Sequence, residues 1–380
     1  MIGGLTILQL IFMIVFLLIL VGIASGTLML WRVPTPPTEK KLSKNKPRVS
    51  IIIPARDEEG RIEPLLASIK IQTYQPLEVI VVDDDSKDRT AIIANSYGAK
   101  VIRTVDSDLS WVGKSAACWL GSLESKGVLL LFLDADTRFE HEESLEDLIS
   151  SYEQLGSTGI FSLQPYHRIQ HYYENLSAIF NLLVLVGMNI FTRWGNRFEV
   201  AGSFGPCILT ARKEYFHSGG FRLVGPAIMD DFELSRIYKK AGYATHCFGG
   251  QGIIHFQMYP EGPGQLVEGW TKNFGTASQS THPVVMTLIT LWISGGFLGL
   301  PFVLLTIYSG SLLWIIVSIL CYILYMIHLY FLTKRVGHFY FSVFLFYPAL
   351  FLFFSILFLW SVLRTKIFRS VTWKGRRIKV

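Results

Sequence analysis

Four long apolar runs without a charged residue dictate most of what this chain can become. One, Leu5 to Trp31, opens the sequence, and three more, Val284 to Ile307, Leu312 to Leu332 and Phe339 to Leu363, follow one another near its carboxyl end. Each has the roughly 20 residues an α-helix needs to cross a bilayer. A composition that is 51% hydrophobic and 14% aromatic exceeds what a soluble protein of this size buries. The first run is too long for a signal peptide, no basic region precedes it and no small-residue cleavage site follows, so it reads as an uncleaved anchor. Segment 1–31 is therefore an expected amino-terminal transmembrane anchor and 284–363 an expected set of carboxyl-terminal transmembrane segments. Between them, 48–275 is left for a water-soluble domain.

Pro34, Pro36 and Pro37, then Lys40, Lys41, Lys44, Lys46 and Arg48, make 32–47 a stiff basic linker. The positive-inside rule places it, and the soluble domain after it, in the cytoplasm of a multi-pass protein of the cell membrane with its amino terminus outward. Three further crossings would leave the Lys- and Arg-rich tail 364–380 outside, against the same rule. One carboxyl-terminal segment is therefore expected to be broken or re-entrant. Gly295, Gly296 and Pro301 mark the first as the best candidate, and Pro348 marks the third as the next. The net charge of +6 sits largely in these flanking clusters and predicts attraction to anionic lipid, while no basic and aromatic pattern points to nucleic acid. Cys118, Cys207, Cys247 and Cys321 are far apart, which excludes a CxxC zinc site or a disulfide framework and fits a reducing compartment.

Within 48–275, strand and helix patterns alternate, as in a largely parallel sheet. The β-branched run Val49 to Ile53 stops at Pro54 and releases Ala55-Arg56-Asp57-Glu58-Glu59. Val79 to Val82 ends in Asp83-Asp84-Asp85-Ser86, and Leu129 to Leu133 ends in Asp134-Ala135-Asp136. Three strands thus deliver carboxylates to one edge, the carboxyl edge at which open α/β sheets bind ligands. Two aspartates one residue apart can hold a divalent cation through oxygen while a diphosphate completes its shell; a solvated turn is the plainer reading of that motif taken alone. Gly113-Lys114-Ser115 resembles the end of a P-loop, but the glycine required five positions earlier is Asp108, so that reading fails. Lys114 at a helix start still suits a phosphate. The apolar stretch 176–194 is expected to be an amphipathic helix on the membrane surface, because a crossing there would divide one active site across the bilayer. Asp230 and Asp231 open a helical pattern that runs to Lys240. Carboxylates in a first turn are ordinary capping chemistry, but Asp231 is also placed to take a proton from an acceptor.

Val49 to Glu59, Val81 to Thr90, Gly113-Lys114, Leu133 to Asp136 and Asp230 to Leu234 resemble, in order and spacing, the family 2 glycosyltransferases. The resemblance covers the whole soluble domain. It implies a GT-A, Rossmann-like α/β domain with a mainly parallel sheet, flanked here by transmembrane helices. It also implies nucleotide-sugar contacts at Pro54, Ala55, Glu58, Asp84, Lys114 and Asp134, a metal, Mn²⁺ or Mg²⁺, at Asp136, and catalysis at Asp231 with Asp230 beside it. His255 is a candidate to complete the metal shell and equally a histidine satisfied at a strand end. Asp85 departs from the family's usual glycine and Asp230 from its usual glutamate. Gln265 to Trp270 lacks the spacing and the arginine of the QxxRW element that processive members carry. Met258 to Gly262 with Gly269-Trp270 and Lys272-Asn273-Phe274 is similar instead to the bacterial carotenoid-acid glycosyltransferases of the 4,4'-diaponeurosporenoate type. Gly202, Trp270 and Lys272 become acceptor-site candidates.

The function so implied is inverting transfer of a hexose, with UDP-glucose the expected donor, to a lipid-soluble acceptor such as a carotenoid acid. A processive or cell-wall glycan synthase is the alternative enzyme. A membrane scaffold with a degenerate nucleotide-sugar domain is the alternative without chemistry.

Overall fold

The computed structural model describes residues 6–37, 46–109, 111–225, 229–277, 280–366, 370–373 and 376–379. The chain forms two compact units: Pro34–Arg168 with Val200–Met258, and Met1–Val33 with Ile169–Glu199 and Tyr259–Val380.

Among its described residues the first unit has ten strands: β1 Val49–Ala55, β2 Glu78–Asp83, β3 Lys100–Arg103, β4 Leu129–Leu133, β5 Thr137–Phe139, β6 Ile160–Gln164, β7 Tyr166–His167, β8 Cys207–Ala211, β9 Thr245–Gly249 and β10 Ile254–Phe256. Seven form one sheet in the order β3-β2-β1-β4-β8-β6-β9, and only β8 runs against its neighbours. Alternate residues of the central strands feed opposite faces. Ile51, Ile53, Leu129 and Leu131 enter one core, and Ile52, Leu130 and Phe132 the other. A sheet covered on both faces needs strands that are apolar throughout, as β1 and β4 are. Because β2, β1 and β4 are parallel neighbours, their carboxyl ends and the acidic residues after them share one edge. A small sheet, β5-β10-β7, stands after β4.

The second unit is helical. Ile7–Met29, Pro283–Ser309, Leu312–Thr333 and Tyr347–Arg364 are long and apolar enough to cross a membrane. The first buries Phe12, Ile19, Gly22, Gly26 and Met29 on one face and exposes Ile7, Leu10, Ile14, Leu17 and Val21, large apolar side chains suited to lipid.

Two expectations are corrected here. Pro283–Ser309 is one unbroken helix despite Gly295, Gly296 and Pro301. Its glycines serve close packing: a methyl on Gly295 would come within 2.9 Å of the Gly22 Cα, and one on Gly296 within 2.4 Å of the Phe351 ring. The interruption falls in the third segment instead, where Phe341–Phe344 ends and a new helix starts at Tyr347, just ahead of Pro348. The stretch 176–194 is not an amphipathic surface helix. It holds the short helix Ala178–Gly187, whose Ile179, Phe180, Leu182, Leu183, Leu185 and Val186 are all buried, as a segment apolar on every side must be.

Candidate active site

Asp84 is drawn into the edge by backbone. Its N–H donates to the Ala55 carbonyl at 2.8 Å, and its carboxylate accepts from the Thr104 hydroxyl at 2.9 Å and from the Gly113 N–H. Burial raises its pKa, and those donors together with Arg56 oppose the rise. The Arg56 guanidinium also donates to the Asp84 carbonyl at 3.2 Å. On the neighbouring loop, Glu58 pairs with Arg61 at 2.7 Å, one helical turn on. Asp85 has φ 63°. The turn thus keeps the left-handed backbone that favours glycine, in a residue type that tolerates it.

Gly113 has φ 101° and starts the helix Lys114–Leu123, which aims Lys114 at the end of β4. Its ammonium lies 2.6 Å from Asp134 Oδ1 and donates to the Gly205 carbonyl at 3.1 Å. Register explains the meeting: Leu133 pairs with Cys207 across β4 and β8, and the Asp134 N–H donates to Pro206 O at 3.0 Å. The loop 201–206 is therefore laid beside Asp134. The negative charges of Asp134 and Asp230 push the Lys114 pKa up against the opposing effect of burial.

On the far side of Gly205, Asp231 accepts from the Gly205 N–H through Oδ2 at 3.0 Å and from the Phe232 N–H through Oδ1 at 3.0 Å. It sits in the first turn of the helix Asp230–Lys240, which Ser203 ties down through the Asp231 carbonyl at 2.8 Å. A methyl on Gly202 would come within 2.6 Å of the Phe232 ring, so Gly202 lets the loop press against that helix. Burial and the Asp230 charge push the Asp231 carboxyl up to about 7, against the pull of Lys114 and the two N–H donors. That is the working range of a general base. Asp230 spends one oxygen on the Asp231 N–H at 3.1 Å.

Asp136 differs from all of these. Its Oδ1 is buried without a hydrogen-bond partner among the described residues. Burial and the charges of Asp134 and Glu58 raise its pKa to about 7, opposed by Arg61 and Lys114. A carboxylate this short of compensation fits a cation. No cluster of three His, Cys, Asp or Glu able to hold a metal occurs among the described residues. His255 lies opposite Arg138 in the β10–β5 pairing, two residues along from Asp136, and its Nδ1 is 2.9 Å from Glu140. Burial lowers its pKa, and the Glu140 carboxylate opposes the fall. From Asp84 through Gly113, Lys114 and Asp134 to Gly205 and Asp231, the edge is one connected network.

Residues 50–218 match Glycosyl transferase family 2. Over 342 residues, 90% of this chain and 91% of the relative, the sequence is 36% identical to the 4,4'-diaponeurosporenoate glycosyltransferase of Staphylococcus aureus strain USA300. The same enzyme of strain MRSA252 matches at 36% over 343 residues, again 90% of this chain and 91% of the relative. The chain belongs to glycosyltransferase family 2. A mannosyltransferase from Pyrobaculum calidifontis, solved with GDP-Man and Mn²⁺, aligns at a TM-score of 0.51 and 15% identity over 92% of this chain and 99% of its own. The fold of this glycosyltransferase is accordingly the GT-A-like α/β type.

Two of the acceptor candidates belong to the helical unit. Trp270 belongs to the helical unit, buried, stacked on Phe180 at 4.8 Å and donating its indole N–H to Ser177 at 3.0 Å. Lys272 stands on the helix Pro263–Ala277, and its side chain lies outside the described residues. Arg61 and Thr104 join the edge without having been singled out from the sequence, whereas Gly205 lies in the tight loop 201–206 that the sequence marks as one where backbone can approach a ligand. Arg61 was findable from its i+3 spacing to Glu58. Nothing local marks Thr104, because the strand order alone brings it to the edge.

Proposed function

We propose that this family 2 glycosyltransferase transfers a hexose, from UDP-glucose, to a lipid-soluble acceptor of the carotenoid-acid kind, with inversion at the anomeric carbon. The observation that carries the reading is the Lys114 ammonium held between Asp134 and the Gly205 carbonyl, one residue's breadth from Asp231. It puts a fixed positive charge for a diphosphate beside a carboxylate suited to an acceptor. The S. aureus relative's name supplies the acceptor class.

In this reading, Pro54, Ala55, Glu58 and Asp84 line the nucleotide end, and the Asp84 network fixes the start of the Lys114 helix. Asp136, with Asp134 beside it, would hold a divalent cation, Mn²⁺ or Mg²⁺, and His255, opposite Arg138 in the β10–β5 pairing, would be the imidazole to join them. Such a cation neutralises charge on a departing diphosphate. The acceptor oxygen bonds to the anomeric carbon as the bond from that carbon to the diphosphate oxygen breaks, and the nucleoside diphosphate leaves. Asp231 takes the proton of a hydroxyl acceptor. A carboxylic acid acceptor, with a pKa near 4, is already ionised at neutral pH, and Asp231 then orients it by way of its ordered shell. Helices long and apolar enough to cross a membrane support a reaction at a membrane surface, and the basic linker favours its cytoplasmic side. The test is to incubate membranes containing the chain with radiolabelled nucleotide sugars and extracted lipid acceptors, then weigh the lipid-soluble product. One added hexose from UDP-glucose is expected. A polymer, or labelling only from another nucleotide sugar, overturns the reading.

A further inference from the structure

The helical unit carries a second concentration of charge that sugar transfer does not use. Arg193, Trp194 and Arg197 line a cavity of about 440 Å³, within the range of small-ligand sites. Both arginines are exposed, and neither makes an ion pair with a carboxylate of the described residues. They are not loose. The Arg193 N–H donates to the Leu28 carbonyl at 2.9 Å, and its guanidinium lies over the Trp31 ring at 5.0 Å. The Trp31 N–H donates back to Phe191 O at 2.9 Å. Trp194 leans on Phe198, which stacks on His282 at 4.2 Å.

The location identifies the ligand. The segment is fastened at Leu28 and Trp31, where the apolar helix Ile7–Met29 gives out. Trp31, almost half exposed, and Trp194 are the residue type that marks the headgroup level of a bilayer. Two unpaired guanidinia there offer planar, forked donors that match phosphate oxygens. We propose that this cavity seats the phosphate headgroup of an anionic phospholipid, holding the helical unit at a fixed depth. The inference rests on reading Ile7–Met29 as a membrane span; alkaline carbonate extraction of membranes from expressing cells tests that reading by itself, since a span stays in the pellet.

The full chain, purified in mild detergent and stripped of lipid, is titrated with phosphatidylglycerol or phosphatidylcholine and followed by native mass spectrometry. Wild-type protein is expected to retain phosphatidylglycerol in preference to phosphatidylcholine. Arg193→Gln with Arg197→Gln weakens that retention roughly ten-fold or more, and the paired lysine variant loses less because it keeps the charge. Lys87→Gln, on an exposed lysine of the sheet unit, matches wild type. Equal retention by the double glutamine variant with its folded elution profile intact overturns the proposal, as does a wild type indifferent to headgroup charge. Displacement of the lipid by millimolar inorganic phosphate moves the site to soluble phosphates and overturns the lipid assignment.

Discussion

The carboxylates that follow β1 and β2 and those around the end of β4 and the Asp230 helix are the same chemical groups in one unit, and donors and burial are balanced differently in each. Around the first pair of strands they are supplied with donors. Asp57 accepts from the Lys87 N–H at 2.7 Å, Glu59 from the Arg89 N–H at 3.0 Å, and Asp88 from the N–H groups of Glu59 and Thr90 at 2.9 Å each. For Asp88, burial would raise the pKa, but the Thr90 and Glu59 donors outweigh it and the net shift is downward. Asp231 and Asp136 are pushed up to about 7, chiefly by burial, and Asp136 keeps a buried oxygen with no partner among the described residues. A carboxylate that is fully supplied holds a loop. One left short has charge to give to a ligand.

The largest effect that would break this contrast is at Asp231. Asp231→Asn keeps the shape and should lower kcat for a hydroxyl acceptor by roughly a thousand-fold, within the usual range for a general base, while the unfolding midpoint holds or rises. Unchanged turnover would remove the base role. The pH sign follows from the raised pKa. Activity with a hydroxyl acceptor should fall as pH drops through about 7 and the carboxyl takes up its proton. Stability runs the other way. A folded-state pKa above the unfolded one gives a contribution complete below about 4 and lost as pH rises through 7. The wild-type minus Asp231→Asn difference in unfolding midpoint, measured without ligands at pH 5.5 and pH 8, should be more negative at the higher pH. With a carboxylic acid acceptor the activity limb should instead move towards pH 4.

Next is Asp136→Ala, which should cut turnover at saturating Mn²⁺ by roughly a hundred-fold or more and abolish any Mn²⁺-dependent rise in the unfolding midpoint. The second readout needs no chemistry, and full activity in excess chelator would contradict the assignment. For the donor-supplied set the direction reverses. Asp88→Ala strips partners from two N–H groups and the Thr90 hydroxyl and should cost about 2 kcal/mol of stability, measured by chemical denaturation, with kcat largely intact.

Much of this was legible in the sequence for a physical reason. A buried parallel strand must be apolar throughout, so β1, β2 and β4 announced themselves and the carboxylates after each could be placed on one edge. Periodicity does not say which strands are neighbours, and Gly205 reaches Lys114 and Asp231 only because β8 runs back beside β4. Nor does it separate a lipid-facing helix from a protein-facing one. Ala178–Gly187 is apolar enough for either and is buried, and Gly295 and Gly296 look like a break and act as a close contact. Nor does periodicity show what a buried ring touches: the Trp270 indole stacks on Phe180 and donates to Ser177.

The smallest effect sharpens the contrast most finely. Asp85 is a carboxylate of the β2 loop whose partner is an exposed lysine, Lys87, at 2.7 Å, a pairing that solvent leaves with little weight. The Lys87 contact lowers its pKa, yet the feature that fixes the turn is the backbone at φ 63°. Glycine adopts that conformation without steric penalty and loses more chain entropy on folding, and the two effects oppose each other. Asp85→Gly should leave the unfolding midpoint within about 2 °C and the apparent affinity for nucleotide sugar unchanged. Asp85→Val, which resists a left-handed backbone, should lower the midpoint measurably. Equal behaviour of the two variants would mean that the turn is held by something other than its backbone, and a glycine variant that lost nucleotide affinity would move Asp85 from the loop-holding carboxylates to the ligand-facing ones.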